Sequence, residues 1–373
     1  MEVLHGWRYR WPPMVRPPVG LRLRSGSSSH GHMRLSDIIG HDQAKRLLQG
    51  SLQRDRLHHA LLLHGPDGVG KRSLARAWAA LLLCDAPVVD VEGRLDACGA
   101  CGSCRTFHAG RHPDFVLVEA EARTIKLDQI KEVVASTRYR PTMSKRRVVL
   151  LLDAHDLRDE GANALLKTLE EPGGETVFVL VTSQAQRLLN TIRSRTQQLR
   201  LQSLTPAAVM RVLEQQGVAR ERATLLTRLS GGAPGVALAL AKDDAWARRD
   251  LDLRAMHEVL DRPGVAGLAL AERWASDREH QEERLSLLVA WLRDVSWLGA
   301  GGAQEACLLP HAVEGVAAWS DRLPPPACAR LASLVDGARA RLRGNVHARL
   351  VFESLWIDIA SALERGSLRK DGL

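Results

Sequence analysis

The stretch His64-Gly65-Pro66-Asp67-Gly68-Val69-Gly70-Lys71-Arg72 decides how the rest of the chain is read. It follows the short apolar run Ala60-Leu61-Leu62-Leu63 and precedes an apolar helical pattern from Leu74 to Cys84. A glycine-rich loop between a strand and a helix lets backbone N–H groups and the helix N-terminus cradle phosphates, and Lys71 adds a point charge. Gly65, Gly68, Gly70 and Lys71 are therefore candidate nucleotide-binding residues. A hydrolysing site of this kind has Ser or Thr after the lysine, where the hydroxyl holds Mg²⁺. Arg72 stands there, and a bulky cation cannot ligate a metal. Ser73 does not replace it, because one helical step turns a side chain about 100° away. The scaffold is that of an ATPase; its chemistry is disabled.

Outward from the loop, strands and helices alternate. Leu35 to Arg56 has helical periodicity, with Ile38, Ile39, Ala44, Leu47, Leu48 and Leu52 at three- and four-residue steps. Phe115-Val116-Leu117-Val118 reads as a buried strand behind His112-Pro113-Asp114, and Ile130 to Thr137 as a helix. Arg147 to Asp153 and Thr176 to Thr182 are dominated by valine and leucine, as in strands covered on both faces. The helix Gly161 to Glu171 lies between them and is closed by Pro172-Gly173-Gly174. Such alternation over residues 34–202 implies an α/β core with a parallel sheet. After Leu201 the strand signal ends. Thr205-Pro206 opens a helix in N-cap and N1 style, and the Ser230-Gly231-Gly232-Ala233-Pro234-Gly235 stretch breaks the helical run. Residues 203–243 suffice for a small helical lid, and 244–373 read as a larger helical domain, with Arg284 to Leu298 and Leu350 to Leu363 the clearest segments.

The other parts of a nucleotide site are present in altered form. Val148-Val149-Leu150-Leu151-Leu152-Asp153 resembles a Walker B strand whose terminal carboxylate would hold Mg²⁺. Ala154 follows where an active enzyme has a glutamate to orient water, and then His155 and Asp156. Thr182-Ser183, at the end of the next strand, is either a γ-phosphate sensor or a strand-terminal turn. In Thr191-Ile192-Arg193-Ser194-Arg195-Thr196, Arg195 is either an arginine finger for a neighbouring subunit's site or a surface cation.

Six cysteines are present and four fall within a 21-residue window, unlike the spacing of a secreted disulfide framework. A reducing, cytoplasmic setting is expected. Cys98-x2-Cys101-x2-Cys104 is dense enough for a structural zinc site, with Cys84 or His108 as the fourth ligand. An iron–sulfur cluster would want Cys-Pro where His108-Ala109 stands. The formal charge of +9 in 373 residues suits a polyanionic partner, but five arginines against Glu2 in residues 1–33 carry much of it. That segment lacks a secretory apolar core and is expected to be a disordered extension, or a start assigned too early with Met33 as the true one. No apolar run reaches the roughly 18 residues of a membrane span. Aromatic residues are sparse, giving no stacking platform for single-stranded DNA, and the C-terminal tryptophans are assigned to an interface.

The segment Asn163-Ala164-Leu165-Leu166-Lys167-Thr168-Leu169-Glu170-Glu171-Pro172 resembles the characteristic stretch of bacterial clamp-loader AAA+ subunits. So do the cysteine cluster, His112-Pro113-Asp114 and Ser194-Arg195. Over residues 34–243 the chain is similar to the delta-prime kind of the DNA polymerase III clamp loader, and Asn345 to Trp356 resembles the last helix of its collar. The resemblance implies an AAA+ P-loop core with an inserted zinc module at about 84–108, a lid, and an all-α C-terminal collar domain. It also implies zinc on Cys84, Cys98, Cys101 and Cys104 rather than His108, and Arg195 as a finger acting in trans. The partners it implies are gamma/tau and delta subunits in a heteropentamer, the sliding clamp, and primer–template DNA reached through the complex. The role is DNA replication within a nucleotidyltransferase holoenzyme, with no ATPase of its own. ATP or ADP, if bound, is held unhydrolysed by Gly65, Gly68, Gly70, Lys71 and Asp153. The motor subunit gamma/tau departs from this chain at Arg72, at Ala154 and at Gly235, where it has a nucleotide-contacting arginine. An active motor, such as gamma/tau or a branch-migration helicase, is the alternative, and a zinc-dependent nucleic-acid module on a relic core is a further one.

Overall fold

The valine- and leucine-rich runs become the centre of a five-stranded parallel sheet. The computed structural model describes residues 34–367 except 91, 121–123, 171–174, 262–263, 310–312 and 345. Its strands are β1 Ala60–His64, β2 Val88–Val89, β3 Leu95–Asp96, β4 Phe115–Val118, β5 Arg147–Leu151, β6 Thr176–Thr182 and β7 Gln197–Arg200. The main sheet runs β4-β5-β6-β1-β7, while β2 and β3 form a separate antiparallel ribbon. Strand periodicity divides the core in two. Leu61, Leu63, Val148, Leu150, Val177 and Val179 pack on one face, with helices α1 (Asp42–Gln53) and α2 (Lys71–Leu83) and the fully buried Trp78. Leu62, Val149, Leu151, Phe178 and Leu180 pack on the other, under α4 (Leu127–Ser136) and α5 (Asp159–Glu170). Helix α3 (Gly102–His108) follows the ribbon, and the short α6 (Asn190–Ser194) precedes β7.

Two elements differ from the periodicity. The helix expected from Leu35 begins only at Asp42, because the buried Asp96 carboxylate accepts the Leu35 and Ser36 N–H groups at 3.0 and 2.9 Å and keeps that segment in turns. Gly40 and His41, both at positive φ, then redirect the chain. Strand β7 pairs along β1 at the sheet edge, and its mostly exposed Gln-Gln-Leu-Arg sequence carries no apolar run to announce it.

Beyond the sheet, α7 (Pro206–Gln215), α8 (Arg220–Leu229) and α9 (Pro234–Leu240) share a small apolar cluster. Thr205 caps α7 by accepting the Ala208 N–H, with Pro206 in its first turn. Gly231 and Gly232, at φ 56° and 84°, make the break before α9. Six further helices follow: α10 (Asp243–Asp261), α11 (Val265–Ser276), α12 (Gln281–Gly299), α13 (Val313–Ser320), α14 (Pro325–Arg343) and α15 (Ala348–Ser367). Their shared core corrects the interface expectation for four of the tryptophans, while Trp297 stays exposed. Trp274, Trp291, Trp319 and Trp356 are buried inside this cluster, and Trp274 donates to Asp252 at 2.9 Å. No described helix is long and apolar enough to cross a membrane. Residues 1–33, the Pro172-Gly173-Gly174 helix stop and Asn345 lie outside the described residues.

His112-Pro113-Asp114 is a brace. The fully buried Asp114 carboxylate accepts three backbone N–H groups, from Thr142, Met143 and Ser144, at 2.6–2.8 Å. His112 Nδ1 accepts the Asp114 N–H, so Nε2 carries the ring proton toward Ser144 Oγ at 3.1 Å. Ser144 Oγ then donates to Leu83 O at 2.8 Å, tying the end of α2 to the loop that feeds β5. Burial pushes the Asp114 carboxyl up, but the three N–H donors outweigh it and hold it below the usual carboxylate range. Its contribution to stability is therefore complete above the unfolded carboxyl pKa of about 4 and is lost as pH falls through the lower folded value. Asp114→Asn should cost on the order of 1–3 kcal/mol, read from urea unfolding at neutral pH. A variant as stable as the parent would refute the brace.

Candidate nucleotide site and metal centre

The phosphate loop is built from backbone. A Cβ on Gly65 would lie 2.1 Å from the Leu201 carbonyl oxygen, and Gly68 has φ 74° with the Val236 backbone nitrogen 2.9 Å from where its Cβ would stand. Gly70, at φ 103°, caps α2 and aims that helix N-terminus into the cleft. Lys71 Nζ donates to Gly65 O and Pro66 O at 2.9 and 2.7 Å and lies 3.7 Å from the Asp67 carboxylate. Burial lowers the Lys71 pKa, opposed by Asp67 and Asp153. The cleft, of about 430 Å³, is walled by Ile38 and Ile39 on one side and by Pro234 and Leu238 from α9 on another, with Lys71 and Asp153 between them. The structure thus brings Gly68, Gly70, Lys71 and Asp153 to one cavity, while Gly65 shapes the loop from outside its lining.

The remaining positions explain what this cleft lacks. Asp153 sits in the left-handed region at φ 48° and begins a 3-10 turn. Ala154 is fully buried in the apolar core and offers no carboxylate. Thr182 Oγ1 accepts the Gln184 N–H and meets His155 Nδ1, both at 3.0 Å, so the hydroxyl and the imidazole are engaged with each other. Gly235 contributes only backbone: its N–H donates to Gly68 O at 2.8 Å, latching α9 onto the phosphate loop. The Arg72 guanidinium pairs with Glu119, just past β4. Arg195, directly after α6, pairs with Glu170 and donates to Thr191 O at 3.0 Å, with 35% of its side chain exposed.

Cys84, Cys98, Cys101 and Cys104 gather with all four sulfurs within 4.8 Å of one another, and His108 stays outside this group. Separations of 3.6 Å (Cys84–Cys98), 3.9 Å (Cys84–Cys101) and 3.9 Å (Cys98–Cys104) match the edge of about 3.8 Å that follows from tetrahedral zinc with Zn–S near 2.3 Å. The cluster can hold a metal ion, and its donor chemistry fits zinc. Backbone N–H groups of Cys98, Ala100, Cys101 and Cys104 point at the sulfurs at 3.3–3.4 Å and orient them. Burial pushes Cys84 up to about 11, whereas at Cys98 the N–H donors of Ala100 and Cys101, with the neighbouring thiols, outweigh burial and bring it to about 6.

With this geometry in hand, comparison with known proteins is decisive. Residues 40–205 match the family model described as "DNA polymerase III, delta subunit". DNA polymerase III subunit delta' of Bacillus subtilis (strain 168) is 30% identical over 314 residues, covering 83% of this chain and 93% of that protein. The chain belongs to the DNA polymerase III delta-prime family. The Escherichia coli (strain K12) delta-prime subunit is 38% identical, over 69% of this chain and 75% of its own length. DNA polymerase III subunit tau of the same organism is 34% identical, but the match spans only 58% of this chain and 33% of tau. Delta-prime membership therefore rests on shared length as well as identity. Sequence reasoning had no signal for Glu119, which is matched to Arg72 only through the fold, or for the backbone contact of Gly235. Nor did Asp96 stand out from Asp85, Asp90 and Glu92 in the same segment.

The purified delta-prime chain should carry one zinc per molecule by atomic emission. Chelation, or Cys101→Ser, should remove the metal and lower the melting temperature. Metal retention should weaken as pH falls, because protons compete for the thiolates. Unchanged metal content in the variant would rule out this ligand set.

Proposed function

We propose that the chain acts as the delta-prime subunit of a clamp loader, supplying position and charge to its neighbours without turning over ATP. One observation carries this reading. The phosphate cradle keeps its glycines and lysine, while Arg72 and Ala154 stand where hydrolysis needs a hydroxyl and a carboxylate. A nucleotide at Gly65, Gly68, Gly70, Lys71 and Asp153 would then be a structural ligand, and zinc on the four cysteines a structural metal.

Arg195 is the group proposed to act in catalysis, at a gamma/tau site rather than its own. Its partly exposed guanidinium has a carboxylate partner, Glu170, which a neighbouring subunit's terminal phosphate would replace as the stronger anion. In this arrangement residues 34–202 are the docking core with the zinc module, 203–243 the lid, and 244–373 the collar segment. Gamma/tau and delta would complete the heteropentamer. The clamp and primer–template DNA would be met through the assembly, with DNA contacts directed at its backbone.

The test is steady-state ATPase of the assembled complex with parent and Arg195→Ala chains, beside the isolated chain. An arginine finger is worth about 10³-fold or more in kcat, so the complex should lose essentially the whole contribution of one motor site. The isolated chain should be silent. Unchanged complex activity would remove the finger role, and turnover by the isolated chain would overturn the non-hydrolysing reading.

A further inference from the structure

Arg72 occupies the place from which a hydroxyl would hold Mg²⁺, and its environment is specific. It lines the cleft with Lys71 and Asp153. Its guanidinium reaches Glu119, just past β4. Strand β4 runs beside β5, with Val118 opposite Leu151, so Glu119 and Asp153 leave adjacent strand ends. The Arg72 side chain therefore spans from the start of α2 to the end of β4, beside the strand that leads to Asp153. Mg²⁺ demands near-octahedral oxygen ligation. Here the residue after Lys71 offers a second positive charge in place of the hydroxyl, and the hydroxyl of Ser73, which also lines the cleft, is displaced by one helical step. The donor set does not fit the metal that the fold ordinarily uses.

We infer that this cleft binds a nucleoside diphosphate free of divalent cation, the fixed charge of Arg72 standing in for the metal. This rests on the nucleotide-holding reading above and adds to it the metal requirement and the phosphate number. The cations at the cleft are Lys71 and Arg72, held by the loop and by Glu119. The carboxylates lining it are Asp37, Asp67 and Asp153. A triphosphate adds another negative group to a site already bearing three carboxylates. In active relatives of the fold a bound metal offsets that repulsion, and here Arg72 stands where the metal's hydroxyl ligand would be. A diphosphate loses least, because the glycine loop and the α2 N-terminus contribute their N–H donors without any metal.

Calorimetric titration of the full chain with ADP and with ATP, each in excess EDTA and in excess MgCl2, decides the matter. ADP should bind with the same affinity in both, within about twofold, and in EDTA ATP should bind at least about tenfold more weakly than ADP. Thermal shift with ADP should likewise be unaffected by Mg²⁺. Arg72→Thr, restoring the hydroxyl, should make binding Mg²⁺-dependent, while Arg72→Lys should keep it independent. Tightening of ADP by Mg²⁺ of about tenfold or more in the parent chain would overturn the inference while leaving nucleotide holding intact. Absence of binding by either nucleotide would overturn both, without touching the role of Arg195.

Discussion

At Gly65 the chain passes itself too closely for any side chain, and sheet, phosphate loop and lid meet at that passage. The Leu201 N–H donates to His64 O at 2.7 Å, and the Leu201 carbonyl lies where any Cβ on Gly65 would have to go. Three residues on, Leu204 donates to Gly232 O at 2.8 Å, and Gly235 returns to Gly68. One glycine therefore lets the exit from β7 run beside the phosphate loop, and the helices that follow are placed over the cleft as a result.

This construction separates two properties that side-chain chemistry usually joins. Cradling phosphate uses glycine conformation, helix polarity and one lysine, all of which the fold itself requires. Cleaving phosphate uses a few side chains on the cleft rim, and the fold does not require those. Neither Arg72 nor Ala154 belongs to a strand of the sheet. Ala154 has joined the apolar core, and Arg72 has found Glu119. The phosphate cradle and the sheet that carries it thus do not depend on which side chains stand at the cleft rim.

Much of this was legible in the sequence because burial on both sheet faces forces unbroken apolar strands. Ala60–Leu63, Val148–Leu151 and Val177–Val181 announce themselves for that reason. Strand β7 does not, since an edge strand with exposed side chains obeys no apolar pattern. The helix onset at Asp42 was hidden by a carboxylate 61 residues away from Leu35 in the chain. At the site, glycine and cysteine spacings were informative because local geometry fixes them. The partners of Arg72 and Arg195 were not, since Glu119 and Glu170 reach them only through tertiary folding.

The cysteine cluster also reaches beyond its own four sulfurs. Arg34 donates to the Cys98 carbonyl at 2.6 Å, Asp96 holds Leu35 and Ser36, and Gln49 donates to Leu95 O at 2.8 Å. The segment secured in this way runs directly into Ile38 and Ile39, one wall of the cleft. The cysteine cluster and the cleft are thus joined through a single short stretch of chain. Thermodynamic reciprocity requires that any tightening of a ligand in the cleft by a metal on the cysteines be returned in equal measure, so that such a metal would be a distant party to the affinity of the cleft.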